Sequence, residues 1–255
     1  MVLSTAPLLY FVDPILRGPT IGSMLMCLAA GLVGAVVFLR KQSLLGEALS
    51  HAAYPGVIIG VMVAGAFSLD ASNHTLLASL IMAGAFVTAL LGMLSIFCLV
   101  NFLKVKNDVA LCFVLSTFFG IGLTLASQVQ FTYSSLYQQI QVYLYGQAAT
   151  MSDIHIKIYA FLALSIIIAA ITFLKELEII IFDRDYAESL GIRVRFVDGL
   201  FLILIVLAVV IGIRSVGVVL MSAMLIAPAA AARSDHRRQS VADRLRAQRR
   251  RRQRG

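Results

Sequence analysis

A carboxylate and an imidazole stand four residues apart in the densest polar cluster of an otherwise apolar region. Glu47 and His51 belong to the run SLLGEALSHAAYPGV, which leads into an apolar segment. Four residues make about one turn of an α-helix, so both side chains fall on one helix face. Carboxylate oxygen and imidazole nitrogen together suit manganese, iron or zinc, and ionisable groups entering a membrane segment often line a pathway. The spacing predicts a divalent metal site, and a hydrogen-bonded structural pair in a helix cap is the alternative.

Pro55 and Gly56 follow His51 in the same run. Proline removes a backbone donor and clashes with the preceding turn, so the pair predicts a break or kink in this helix. Transporters often expose substrate-facing backbone at a broken helix. Ordinary helix kinking is the alternative.

A second polar cluster is the connector KELEIIIFDRDYAESLGIRVR, from Lys175 to Arg195. Its charges alternate around short apolar faces and the pattern stops at Gly191, a residue typical of helix ends. This pattern fits a short amphipathic helix suited to docking into a groove on a partner, or a solvated loop helix, which composition alone favours. In a docking helix, we expect the small side chain of Ala187 to let that partner approach closely.

The elements that must position these clusters are membrane helices. The chain of 255 residues is 60% hydrophobic and only 13% charged, whereas soluble domains are about half apolar and a quarter charged. Each span needs roughly 20 apolar residues. We therefore predict an all-α polytopic membrane helical bundle of about seven transmembrane helices with a short cytoplasmic amphipathic helix. The predicted spans are Ile21–Leu39, Ala48–Phe67, Thr75–Val100, Val109–Ala126, Ile158–Leu174, Val197–Ile213 and Val216–Ala232.

The stretch from Ser127 to Met151 differs from these spans because it is rich in Gln, Tyr and Ser and has no charged residue. Tyrosine favours the membrane–water interface. The stretch is predicted to be interfacial or re-entrant, with an aromatic belt at Tyr133, Tyr137, Tyr143 and Tyr145.

The net charge of +8 comes from the end of the chain, where residues 233–255 carry ten arginines against two aspartates. We predict a transmembrane domain over residues 1–232 and a disordered, Arg-rich cytoplasmic tail over 233–255. With the N-terminus outside, only Arg17, Lys157 and Arg214 of the 21 basic residues lie outside, as the positive-inside rule favours. Membrane lipid accounts for the tail without a nucleic acid partner, because no recognition element accompanies the arginines.

The sequence has no motif for nucleotide binding or hydrolysis of its own. It contains no GxxxxGK[ST], HExxH or GxSxG pattern. The three cysteines, Cys27, Cys98 and Cys112, lie inside apolar runs and show no C-x-x-C spacing, which argues against a disulfide framework or a thiolate site. We expect a protein that is not an enzyme and that relies on another chain for any use of ATP.

Five ordered motifs between Thr20 and Arg233 resemble the membrane permease subunits of ABC importers for zinc, manganese and iron. They are LRKQSLLGEALSHAAYPGV (Leu39–Val57), KNDVALCFVLSTFFGIGL (Lys106–Leu123), YLYGQAATMSDI (Tyr143–Ile154), FDRDYAESLGI (Phe182–Ile192) and VGVVLMSAMLIAPAAAAR (Val216–Arg233). A siderophore or cobalamin permease shares a similar core and is the alternative within this class. A secondary transporter is disfavoured because Asp108 and Asp198 lie at span ends and the mid-span regions hold almost no ionisable residues.

The resemblance implies a permease dimer, homo- or heteromeric, in the bacterial inner membrane. Cytoplasmic ABC ATPase subunits would drive it and an extracytoplasmic metal-binding protein would supply it. No cofactor would be tightly bound, since the divalent metal ion is cargo and the partner subunit uses the ATP. The resemblance assigns Glu47 and His51 to the metal pathway, with Glu47 where many relatives have Asp. It assigns the coupling helix to Asp183, Ala187, Gly191 and Ile192.

The chain departs from the family pattern after Arg233, where relatives continue with further apolar spans. Here the sequence becomes SDHRRQSVADRLRAQRRRRQRG. We expect a truncated or frame-shifted product, which would be a non-functional permease. A native basic tail and a specialised family member are the alternatives.

Overall fold

The computed structural model describes residues 16–40, 44–66, 74–132, 134–150 and 153–233, together with Asp13 and Gln42. Within these ranges the chain is helical and contains no strand, so the predicted all-α fold is confirmed. The helices are α1 (Arg17–Leu39), α2 (Leu45–Ala66), α3 (His74–Asn101), α4 (Asn107–Thr132), α5 (Ser134–Tyr145), α6 (Asp153–Phe182), α7 (Arg184–Ser189), α8 (Val194–Val216) and α9 (Val218–Arg233), with a 3-10 turn at Ala148–Thr150.

Six helices in the described part of the chain are long and apolar enough to cross a membrane. They are α1, α2, α4 and α8 over their whole length, α3 from Ala78 and α6 over Ile156–Phe173. Helix α9 is apolar but shorter. The prediction of about seven spans is therefore close to the observed six with one shorter apolar helix. Residues 234–255, the predicted Arg-rich tail beyond Arg233, lie outside the described residues.

Helix α2 is the most enclosed of the six. In its most apolar stretch 72% of the residues are buried, compared with 56% in α8 and 28% in α3. Small residues bring α2 and α3 together, because a Cβ on Gly56 would collide with the carbonyl oxygen of Gly84. The Thr88 hydroxyl of α3 donates to the Ala53 carbonyl of α2 at 3.4 Å. The helix with the predicted metal ligands is thus held inside the bundle.

The polar stretch after the fourth span is more regular than predicted. Helix α4 continues to Thr132, and α5 then forms a separate helix of 12 residues. Tyr143 is only 4% exposed and packs into the apolar core, so it does not belong to an interfacial belt. Tyr145 is exposed and Tyr133 lies outside the described residues. Gly146 explains this packing, since its left-handed backbone at φ +78° sets the end of α5 directly against the backbone after α8.

The predicted amphipathic helix between Lys175 and Arg195 is divided in two. Its first part continues α6 to Phe182, beyond a non-helical residue at Phe173, and only Arg184–Ser189 forms the separate helix α7. The division follows from packing, because apolar side chains on both sides of it enter one buried cluster. We call this the lower cluster, and its buried members are Val36 of α1, Leu177 and Ile180 of α6, Ala187 of α7, and Val194, Val197 and Phe201 of α8.

Candidate functional site

Glu47 and His51 lie on successive turns at the beginning of α2. Glu47 is in the first turn, and both residues are half-buried. The Nδ1 atom of His51 is buried and has no hydrogen-bond partner among the described residues. Ser50, between them, donates its hydroxyl to the backbone carbonyl of Glu47 at 2.9 Å and so uses its donor within the helix. Buried polar atoms rarely lack a hydrogen-bond partner. This nitrogen is therefore available to an external ligand.

A phenylalanine on α4 faces the imidazole. The rings of His51 and Phe119 meet edge to face, with centroids 4.6 Å apart, and the centroid of the Tyr54 ring lies 5.9 Å from that of Phe119. Gly122 makes room for this stack, since a Cβ there would lie 2.5 Å from Cδ1 of Tyr54. Sequence reasoning did not select Phe119. Its place in the second family motif, Lys106–Leu123, is the signal that could have indicated it.

Pro55 does not break α2, because the helix runs without interruption from Leu45 to Ala66. The predicted break is therefore wrong, while the predicted kink stays a prediction. Tight packing of Gly56 against α3 holds the helix together at this point. Proline has no N–H group, so the carbonyl oxygen of His51 still lacks the donor that a helix normally supplies four residues later.

The donor set that this chain supplies has two members. Among the described residues no group of three or more His, Cys, Asp or Glu residues comes together. A hard carboxylate oxygen and a borderline imidazole nitrogen fit manganese, iron or zinc, which prefer four to six ligands. A metal bound here would take two ligands from Glu47 and His51, and water or a second protein chain would have to complete its coordination sphere.

Helix α7 has both ends closed by its own residues. The Asp183 side chain accepts from the backbone N–H groups of Asp185 and Tyr186, both at 3.1 Å. At the other end Gly191 adopts φ +79° and donates to the carbonyl of Glu188, while Ile192 donates to that of Ala187. These are the paired bonds of a Schellman ending. Sequence reasoning placed Gly191 correctly as the end of this helix.

Ala187 does not face a partner, contrary to our expectation. Its side chain is 0% exposed and lies in the lower cluster. A small residue is needed here because α7 packs directly onto α6 and α8. The other side chains of α7 are exposed, and the apolar ones available to a partner here are those of Tyr186 and Leu190, which are 56% and 53% exposed.

A third polar group connects α7 to the segment that precedes α2. Asp198 of α8 pairs through one oxygen with Arg40, at 2.8 Å, and through the other with Arg184, at 3.0 Å. Burial lowers the pKa of Arg40 and the Asp198 carboxylate opposes that shift, so the guanidinium stays charged. Sequence reasoning noted Asp198 only as a charge at a span end, because the pairing joins residues distant along the chain.

The described part of the chain combines six helices long and apolar enough to cross a membrane, a half-buried Glu–His pair and a short capped helix, which defines a multi-pass membrane protein. The model of the ABC 3 transport family matches residues 13–241. The chain belongs to this family, and the resemblance drawn from its motifs is confirmed.

The relatives are named as parts of metal transport systems. The chain is 40% identical to the manganese transport system membrane protein MntC of Bacillus subtilis, over 83% of this chain and 47% of that protein. It is 34% identical to the zinc transport system membrane protein TroC of Treponema pallidum, over 88% of this chain and 72% of that protein. The chain spans about half the length of the first of these relatives. It is a multi-pass protein of the bacterial inner membrane.

A solved structure shares the fold. This structure is PsaBC from Streptococcus pneumoniae in complex with Fab, and it superposes with a TM-score of 0.70 at 29% identity. The match covers 90% of this chain and 76% of that one.

Proposed function

We propose that the protein is the permease subunit of an ATP-driven importer for divalent transition metal ions, with zinc, manganese or iron as cargo. The observation that carries this proposal is the Glu47–His51 pair on α2, the most enclosed span, with Nδ1 of His51 unpaired in the described part of the chain. Ligands of this kind inside a membrane bundle suit an ion that must cross it. The names of the manganese and zinc relatives support the same class of cargo.

The two-ligand site supports a dimer of permease chains. A second copy, or a related permease chain, would supply a further carboxylate and imidazole and bring the number of protein ligands to about four, within the range that these metals use. An incomplete site within one chain also suits transport, because a pathway must release its cargo.

Helix α7 supports coupling to a separate ATPase. Its capped ends make it a short rigid body, and Tyr186 and Leu190 present exposed apolar surface at a part of the chain predicted to be cytoplasmic. Apolar side chains exposed to water commonly mark docking surfaces. We propose that Asp183, Ala187, Gly191 and Ile192 hold this helix in shape while its outer face contacts the ATPase.

The protein would then carry no catalytic machinery of its own. ATP would be hydrolysed by the cytoplasmic partner subunits, and the metal would arrive from an extracytoplasmic binding protein. The metal is cargo in this proposal, and no tightly bound cofactor is required.

Uptake of radioactive manganese or zinc tests the site in cells that lack their own importers and express the partner subunits. We expect the double substitution Glu47→Gln with His51→Ala to reduce uptake to background, because both protein ligands of this chain are lost. Ser116→Ala is the matched control, since this α4 hydroxyl is exposed and bonded only to its own helix.

The protein level decides between a ligand role and a structural one. We expect the double variant to accumulate as wild type does. Wild-type uptake by the double variant, or a loss of uptake that matches a loss of protein, would contradict the proposed site.

The proposed ATPase contact also requires α7 to lie in the cytoplasm. Ser189 is exposed at the end of α7, and Ser189→Cys should resist a membrane-impermeant thiol reagent in intact cells. It should react once the cells are opened. Rapid labelling in intact cells would reverse the topology and exclude docking to a cytoplasmic ATPase.

A further inference from the structure

The carboxylate of Asp198 joins three segments that are separate in sequence. Arg40 follows the last residue of α1, Arg184 begins α7, and Asp198 lies in the second turn of α8. Each oxygen of the carboxylate pairs with a different guanidinium group. Displacing α7 therefore affects the Asp198 carboxylate, which also binds Arg40 at the end of α1.

The pair between Arg40 and Asp198 is shielded from water. The side chains of Arg40 and Asp198 are 14% and 17% exposed, whereas Arg184 is 58% exposed. The Arg40 guanidinium also lies over the Phe201 ring, 6.0 Å from its centroid. Asp198 is a shielded partner in both pairs, and removing one partner of a buried pair leaves an unpaired charge and is strongly unfavourable. Arg40 and Asp198 are thus expected to move together.

The lower cluster joins the same segments through apolar contacts. It brings Val36 near the end of α1 together with Ala187 of α7 and Phe201 of α8. Beside the ion pairs is a cavity of about 1080 Å³, lined in part by Arg40, Gln42, Leu45, Arg184 and Asp198. The contact between the ends of α1, α7 and α8 is therefore packed on one side by the lower cluster and borders the cavity on the other.

The path from the ion pairs of Asp198 to the candidate metal site is short. Arg40 lies five residues before Leu45, the first residue of α2, and the Leu45 N–H donates to the Gln42 carbonyl at 2.9 Å. Glu47 is in the first turn of α2. Glu47 therefore lies only seven residues after Arg40 along the chain.

We propose that Asp198 is a positioning residue that links α7 to the start of α2, so that movement of α7 changes the position of Glu47. This inference rests on the proposed function of both segments. It assigns the transmission to the two ion pairs of Asp198 rather than to the membrane helices as a whole. Physical continuity alone does not establish coupling, so the test measures coupling directly.

The first experiment compares Asp198→Asn with Asp198→Glu and wild type in the assembled transporter. The measured quantities are ATPase co-purification, ATP hydrolysis and uptake of radioactive Mn²⁺. For Asp198→Asn we expect normal co-purification and hydrolysis but about tenfold less Mn²⁺ taken up per ATP, a typical size for coupling between sites. Asp198→Glu should restore most of the uptake, because it keeps the charge.

Arg195→Gln is the matched control. Arg195 lines the same cavity, but in the described part of the chain the ion pairs of Asp198 are made to Arg40 and Arg184. Its removal should leave the Mn²⁺ taken up per ATP unchanged. An equal loss in Arg195→Gln and Asp198→Asn would overturn the proposal, since a general change of charge would then explain both.

A double-mutant cycle supplies the second measurement. Arg184→Gln and Arg40→Gln should each lower uptake per ATP, and combining either with Asp198→Asn should add little to the single effects. Additive losses would overturn the proposal. If Asp198→Asn lowers the protein level, the Mn²⁺ taken up per ATP is measured with Arg184→Gln instead. The Arg184 side chain is mostly exposed, so this substitution should leave the protein level unchanged.

The outcomes separate this inference from the proposed function. If the wild-type protein neither takes up Mn²⁺ or Zn²⁺ nor binds an ATPase, the proposed function fails. If the wild type transports and Asp198→Asn transports equally well per ATP, only the role of Asp198 fails.

Discussion

The beginning of α2 and the helix α7 both place polar residues beside membrane helices, yet they use them differently. On α2 the Nδ1 atom of His51 has no partner among the described residues. At α7 the Asp183 carboxylate accepts two backbone N–H groups, and Gly191 and Ile192 close the other end. Under the proposed function, the metal site keeps a polar atom available for its cargo, whereas the helix proposed to transmit motion pairs its own polar groups.

The two regions also differ in what surrounds them. Helix α2 is enclosed by α3 and α4 through close contacts at glycine, whereas α7 rests on one apolar cluster and exposes its other face. Substitutions at α2 should therefore disturb the whole bundle. Substitutions at α7 should disturb its docking.

The largest effect is expected from Gly56→Leu. The added side chain would occupy the space of the Gly84 carbonyl, so α2 and α3 would have to separate. We expect a loss of stability of about 3 kcal/mol or more, measured as the temperature at which the detergent-purified protein aggregates.

Gly120→Leu is the matched control on α4, because in the described part of the chain a Cβ there meets no atom within 4 Å. This variant should behave as wild type. Equal stability of the two variants would show that the close contact between α2 and α3 is not needed.

An intermediate effect is expected from Ala187→Arg. The long charged side chain cannot enter the lower cluster, so α7 should be displaced from α6 and α8 while the spans remain inserted. ATPase co-purification should fall about tenfold or more, which corresponds to ~1.4 kcal/mol of binding free energy. Ala187→Ser, with a similar volume, should retain most of the binding. Full ATPase binding by Ala187→Arg would mean that α7 is not the docking element.

The smallest effect is expected from Asp183→Ala. Loss of a helix N-cap costs about 1 kcal/mol, so ATPase affinity should fall about fivefold if α7 must be folded to bind. Asp183→Asn keeps a capping oxygen and should stay near the wild-type affinity. A large loss with Asn as well as Ala would indicate that the charge of Asp183, rather than its cap, contacts the partner.

The sequence determined those features that depend on neighbouring residues. Long apolar runs require helices in lipid, because every backbone group must be paired within the segment. The four-residue spacing of Glu47 and His51 places them on one helix face whatever surrounds them. Gly191 ends α7 because a left-handed residue is needed there, and glycine adopts it without strain.

Only the tertiary structure decided which residues from distant parts of the chain meet. It placed Phe119 against His51, paired Asp198 with Arg40 and Arg184, and turned Ala187 inward instead of toward a partner. It also kept α2 continuous at Pro55, where the local pattern predicted a break or kink. Propensity and spacing act over a few residues, whereas these contacts depend on how whole helices pack, so no local pattern specifies them.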